Sequence, residues 1–442
     1  MDHTFPPARG LVQEVAALGA AADLGEHAAT AVQRVEAHDP VLQAFVPEPD
    51  RCGRVLAEAG RLSRRWSSRP ERPALFGATV GVKDVVRVDG LATTAGSTLP
   101  PQVLAGPEAS VVRRLREAGA LVLGKTVTAE FAHAAPGPTR NPRALGHTPG
   151  GSSSGSAAAV AAGLVTLGVG TQTVGSTIRP AAYCGVTGYR PTHGRIPVDG
   201  VIANAPSFDV VGLLARGVAD VALAASVVVD GWTPAVVPGR PLVVGMPEGP
   251  YLDLVSGEGR AGYEAALDRL RDAGVKVRRV PAVGDLEALA QRQVDVGRYE
   301  IARTHAAWFA AHGERYRPET VAAIRQGQTV TRQEYDEALA GCAVHRAGLV
   351  ARMDVEGLDL WVAPSAVGPA PEGLADTGSS VMSLPWSQAG LPAVGLPAGC
   401  APGGLPLGLQ CVARPGADEQ LLAWAAAVLE PALGTTRAGV SR

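Results

Sequence analysis

The chain has very little lysine. Among its 442 residues are 40 basic ones, of which only Lys83, Lys125 and Lys276 are lysines. A guanidinium cannot give up its proton and an ammonium can, so a chain so biased toward arginine keeps lysine mainly where arginine will not serve. Cysteine is sparse too: Cys52, Cys184, Cys342, Cys400 and Cys411 are odd in number, scattered, and never spaced C-x-x-C. This argues against a disulfide framework or a structural zinc site and leaves buried free thiols. No sign of charge dominates. The formal net charge is -2 and there is no Lys/Arg-dense run, so nucleic-acid binding is not expected. Long apolar runs are missing as well. Ala157 to Val169 is the longest, too short and too rich in Ala and Gly to span a bilayer, and the opening MDHTFPPARGLVQEV has neither a cationic head nor an apolar signal core. The expectation is a cytoplasmic chain with no membrane partner.

What the chain does have is apolar residues, 46% of the total, with 54 Gly and 35 Pro, the composition of a globular enzyme with many tight turns. Val111, Val112, Leu115 and Ala118 share a helical face that stops at Gly119, and Ala120–Leu123 follows as a strand. The same alternation returns at Tyr263–Ala273 followed by Val275–Val280, and again near Leu358–Ala363, so a layered α/β class is expected. Four regions follow from texture. Residues 1–70 read as an N-terminal helical segment, 71–233 as a catalytic core, 234–355 as a charged, helix-rich variable lobe, and 356–442 as the return of the core.

Three motifs compete for the chemistry. Residues 119–126, GALVLGKT, match the phosphate-binding loop pattern G-x-x-x-x-G-K-[ST] letter for letter. A phosphate cradle needs a loop between a strand and a following helix, whereas here the intervening residues form an apolar strand after a helix. Residues 151–155, GSSSG, satisfy the nucleophile-elbow pattern with Ser153 at the centre. That reading, an α/β-hydrolase using Ser153, also needs a preceding hydrophobic strand and an acid and a His downstream, and HTPG before it is a turn.

The third combines GGSSSGS at 150–156, GTQTVGSTIR at 170–179 and VGVKD at 80–84. An amide is a poor electrophile, so a serine attacking it needs a base for its proton and donors for the oxyanion. A lysine serves as base only when neutral, and burial at the end of an apolar strand favours the neutral amine. Lys83 and Asp84 point to opposite faces of that strand, so the acid need not hold the lysine charged. A hydroxyl in the glycine-rich run can accept one proton while donating another, and successive N–H groups near Gly175 can converge on developing negative charge.

Together these motifs resemble the amidase signature family, from about Phe76 through Leu223 and from Asp359 to Glu430. The wording of NPRALGHTPGGSSSGSAAAVAAG and GTQTVGSTIRPAAYCG is most similar to its malonamidase-like members. The resemblance implies a large mixed twisted β-sheet covered by helices on both faces. It puts the catalytic lysine on Lys83, a cis-peptide serine relay on Ser152 and the nucleophile on Ser176. Oxyanion donors fall on the backbone of Thr173, Val174, Gly175 and Ser176. Arg179 is expected to hold a substrate carboxylate, with Thr171 and Ser153 beside it. The implied activity is hydrolysis of a small amide through a serine acyl-enzyme, without cofactor or metal, by a homodimer. The alternative within the family is a glutamine-hydrolysing component of a tRNA-dependent amidotransferase. Two departures stand out. Gln172 replaces a common Asp, and β-branched Val174 stands where a small residue is usual.

Overall fold

The computed structural model describes residues 4–7, 9–18, 23–67 and 71–434, so the expected N-terminal and C-terminal regions lie partly outside the described residues. Ten strands form one mixed sheet: β1 (Thr79–Lys83), β2 (Leu121–Thr126), β3 (Leu167–Gln172), β4 (Thr187–Arg190), β5 (Val210–Ala215), β6 (Val243–Glu248), β7 (Lys276–Pro281), β8 (Leu360–Pro364), β9 (Ala393–Cys400) and β10 (Pro406–Val412). Their spatial order is β2-β1-β3-β5-β4-β9-β10-β8-β6-β7. β1 runs parallel to both β2 and β3, whereas β3 and β5 are antiparallel. Every residue of β1, β2, β3 and β5 is buried, as expected of strands with covered faces, and this explains their continuous apolar runs.

The two sheet edges are closed differently. At β2 the helix Arg51–Trp66 lies alongside, and Arg54 donates to the carbonyls of Val122 at 2.8 Å and Leu123 at 3.1 Å, satisfying acceptors that an edge strand would leave open. At the far edge β7 is largely exposed, with Lys276, Arg278 and Arg279 at its surface, and like charges along an edge oppose pairing with another chain. That charge is why 234–355 reads as a lobe. Its first part instead completes the sheet, with β6 and β7 joined through the helix Gly257–Asp272. The helical lobe proper is narrower: Leu286–Thr304, Ala306–His312, Pro318–Thr329 and Arg332–Glu356, the last opened by a capping box between Thr331 and Glu334.

The carboxyl ends of the adjacent parallel strands β1 and β3 open on one side of the sheet, the place where α/β folds gather ligands. The glycine-rich run enters there as a tight loop and continues as the helix Ser154–Ala161. Gly155 is wedged against the chain: a Cβ on it would collide with the carbonyl oxygen of Ala44 and the amide nitrogen of Val127. Gly155→Ala is expected to lower stability by roughly 2–3 kcal/mol through overpacking. A urea denaturation midpoint equal to that of the parent chain would show that this close approach is dispensable.

Candidate active site

Lys83 ends β1 and is wholly buried. Its Nζ lies 2.7 Å from Ser152 Oγ, 2.7 Å from Thr171 Oγ1 and 3.4 Å from the Thr171 carbonyl oxygen. Burial holds its ammonium well below the usual lysine range; Asp209 opposes that shift and Arg179 reinforces it. Asp84 faces the other way, as strand alternation requires, and its Oδ1 pairs with Lys125 Nζ at 2.7 Å. Lys125 also donates to Thr93 Oγ1, so the residues that imitate a phosphate loop are a buried strand and a structural ion pair.

The peptide between Gly151 and Ser152 is cis. Ser153 takes a different direction from its neighbour. Its hydroxyl donates to the Thr171 carbonyl at 3.1 Å and accepts from the Thr171 amide at 3.2 Å, joining the loop to β3. It is fully buried, does not line the cavity described below, and has no histidine among its hydrogen-bond partners. The structure therefore corrects both expectations for Ser153, as an elbow nucleophile and as a substrate contact. Thr171 likewise touches Lys83 rather than the cavity.

Beyond β3, residues Thr173 to Ser176 turn into the helix Ile178–Cys184. Among the described residues, none of the four amides from Thr173 to Ser176 has a hydrogen-bond acceptor, which leaves them available to negative charge. Gln172 holds this turn. Its Oε1 accepts from the amides of Thr177 at 2.8 Å and Ile178 at 3.0 Å, and its Nε2 donates to Ser387 Oγ at 3.0 Å. Ser387 Oγ in turn donates to the Val174 carbonyl. An aspartate could accept the two amides but could not donate to Ser387, so the departure from Asp has a structural use. Val174 is not among the residues of positive φ, so its β-branch fits the turn. Asp209, buried, accepts from Thr173 Oγ1 at 2.6 Å and from the amides of Asn204 and Ala205 at 2.8 and 2.9 Å. Burial pushes its carboxyl up to about 6 against those hydrogen bonds.

The turn forms one wall of a cavity of about 450 Å³, lined also by Arg179, His133, Arg298 and Asp376. Ser176 reaches this wall, while Lys83 and Ser152 are buried outside the lining residues. Arg179 does line the cavity, but its Nη2 is engaged by the Gly151 carbonyl at 2.5 Å and Thr377 Oγ1 at 3.1 Å. Among the described residues no cluster of His, Cys, Asp and Glu could hold a metal ion. None of the described helices is long and apolar enough to cross a membrane.

Residues 26–422 match the amidase family, and the chain belongs to it. It is an amidase-family enzyme with the expected α/β architecture. It is 33% identical to a glutamyl-tRNA(Gln) amidotransferase subunit from Symbiobacterium thermophilum, over 90% of this chain and 92% of that one. It is 34% identical to the protein of the same name from Anaeromyxobacter sp. (strain K), over 91% of each. Its fold matches the X-ray structure of the native peptide amidase from Stenotrophomonas maltophilia with a TM-score of 0.81 and 28% identity, covering 96% of both chains. These relatives correct the expectation of a homodimer with a small amide as its sole partner and no connection to nucleic acid. Two of them are named as subunits of an enzyme that is named for a tRNA. A net charge of -2 speaks only to phosphate contacts by this chain's own surface, not to what other proteins contribute.

Ser387, Asp209 and Arg298 are absent from the sequence expectations because no local pattern marks them. Asp209 is 36 residues from Thr173, and Ser387 is 213 from Val174. The raised Asp209 carboxyl has a measurable consequence. It ionises near pH 6 when folded and near 3.8 when unfolded, so folding is unpenalised below pH 3.8 and stability falls as the pH rises through 6. Asp209→Asn, an isostere that keeps an acceptor, is expected to gain on the parent chain by up to about 3 kcal/mol between pH 4 and 7. Parallel stability curves for the two proteins across that range would contradict this.

Proposed function

We propose that the chain hydrolyses a carboxamide through a serine acyl-enzyme, with Ser176 as nucleophile, Ser152 as proton relay and Lys83 as base. One observation carries this reading: a lysine wholly buried, in no ion pair among the described residues, hydrogen-bonded to Ser152 Oγ at 2.7 Å. In its neutral form the amine has two hydrogens and one lone pair. The hydrogens serve Thr171 Oγ1 and the Thr171 carbonyl, which leaves the lone pair for the Ser152 hydroxyl.

Ser176 Oγ attacks the amide carbon, and its proton passes through Ser152 to Lys83. The carbonyl oxygen gains negative charge and takes hydrogen bonds from the free amides between Thr173 and Ser176. Collapse breaks the C–N bond, and the proton returns from Lys83 to the leaving nitrogen. Ammonia or an amine departs, and an ester remains on Ser176. Water then gives its proton to the same relay, attacks the ester and releases the carboxylate.

The kinship with chains named as amidotransferase subunits favours a setting for this chemistry: glutamine as the amide, and partner proteins beside the chain. Ammonia release from glutamine that appears only when partner proteins are present would support that setting. Turnover of simple amides by the isolated chain at rates matching its best glutamine rate would favour a free-standing hydrolase.

Lys83→Arg keeps the charge but cannot supply a neutral base. It is expected to lower kcat at least roughly 1,000-fold. Activity within tenfold of the parent chain would remove Lys83 from the role of base. A mass increase on wild-type Ser176 equal to the acyl group, absent in Ser176→Ala, is the direct test of the nucleophile.

A further inference from the structure

The cavity that receives Ser176 contains two guanidinium groups, and their surroundings differ. Arg179 spends Nη2 on Gly151 and Thr377 and feels the nearby negative charge of Asp376. Arg298 sits on the lobe helix Leu286–Thr304 and is in no ion pair among the described residues. Its one hydrogen-bond partner there is His133 Nε2, at 2.7 Å from Nη1. Burial and the adjacent Arg298 push the His133 imidazole down to about 3, so it stays neutral and accepts the bond without cancelling the charge. Arg298 Nε, like Arg179 Nε, is buried and has no acceptor among the described residues, but Arg298 Nη2 is without a partner there as well. A half-buried cation with an unused donor, on the wall of a cavity, lacks what its chemistry requires.

We propose that Arg298 anchors the carboxylate of an acid-bearing amide, and that the lobe helix thereby selects which amides reach Ser176. The inference rests on the hydrolase reading for what happens to the bound amide, but the binding itself does not depend on turnover. Unlike the buried Nε, Arg298 Nη2 is free to donate a charge-assisted hydrogen bond to a carboxylate. The position is held by backbone packing. Gly327, on the helix Pro318–Thr329, lies so close that a Cβ there would collide with the Arg298 carbonyl oxygen. The cavity, about 450 Å³, limits the ligand to a small molecule whose acid and amide ends span from the lobe to the sheet.

The test uses binding by the full chain carrying Ser176→Ala, so that no ligand is consumed. Succinamate and butyramide have the same number of carbons and differ in the terminal carboxylate. Titration calorimetry is expected to show succinamate binding at least about tenfold more tightly than butyramide. Adding Arg298→Gln is expected to bring that ratio close to one, and adding Arg298→Lys to leave an intermediate ratio. The ratio is independent of how much of each variant is folded, because both ligands meet the same active fraction. Equal binding of the two amides by Ser176→Ala would overturn the proposal. So would a preference that survives Arg298→Gln and disappears with Arg179→Gln, which would return the role to Arg179. Failure to trap an acyl group on wild-type Ser176 would count against the hydrolase reading and leave these binding ratios standing.

Discussion

Everything at this site depends on placing one amine where water cannot reach it. An ammonium loses several kcal/mol of hydration when buried without a counter-ion, so the Lys83 side chain is driven toward its neutral form by its position alone. Strand geometry does the rest. Alternation sends Asp84 to the far face, where Lys125 neutralises it, so that this pair leaves Lys83 undisturbed and only Asp209 and Arg179 act on it from a distance. The few lysines in the chain are thus accounted for by three distinct requirements. Lys83 is the buried amine, Lys125 is half of a buried ion pair, and Lys276 is a charge on an exposed edge strand.

A neutral amine is useful only if a hydroxyl stays within reach of it, and the loops around Lys83 are fastened accordingly. Ser153 ties the glycine-rich run to β3 through both the amide and the carbonyl of Thr171, and Thr171 Oγ1 contacts Lys83. Arg179 draws the Gly151 carbonyl from the other side. Around the turn, Gln172, Ser387 and Asp209 occupy the neighbouring hydrogen-bonding groups, while its own four amides have no partner among the described residues. Unpaired donors beside a cavity are costly unless a ligand meets them, which makes the fastening around them part of the same design.

The sequence carries this core legibly because each piece is local. A buried strand ending in Lys83, a glycine-rich run and a TQTVGS turn each declare themselves within a few residues. Helix and strand alternation is likewise readable, and the lobe boundary fails for an identifiable reason. β7 is an exposed edge strand, so its arginines resemble the surface of a helical lobe, and only pairing with β6 reveals that it belongs to the sheet. The supports are illegible for a different reason. Ser387 and Asp209 act across chain separations that no pattern spans, and Ser153 has two local readings until its hydroxyl is seen bonded to Thr171. The expectation about partners fails at yet another level, since a single chain's charge does not encode its neighbours.

The distribution of roles between sheet and lobe has a physical logic. Lys83, the serines around it and the free amides lie at the ends of β1 and β3 and in their loops, where buried strands with paired backbones tolerate little displacement. Arg298 comes from a helix outside the sheet, fixed by a close glycine contact rather than by strand register. Among the described residues no hydrogen bond of Lys83 or Ser153 runs to that helix, but the supports of the turn are tied to it: Glu300 accepts from the Ser207 amide, two residues from Asp209, and Gln388, next to Ser387, donates to the Leu289 carbonyl. The helix that carries Arg298 is thus fastened to the same supports that hold the turn beside the cavity. The family match accordingly runs through sheet and lobe alike, over residues 26–422.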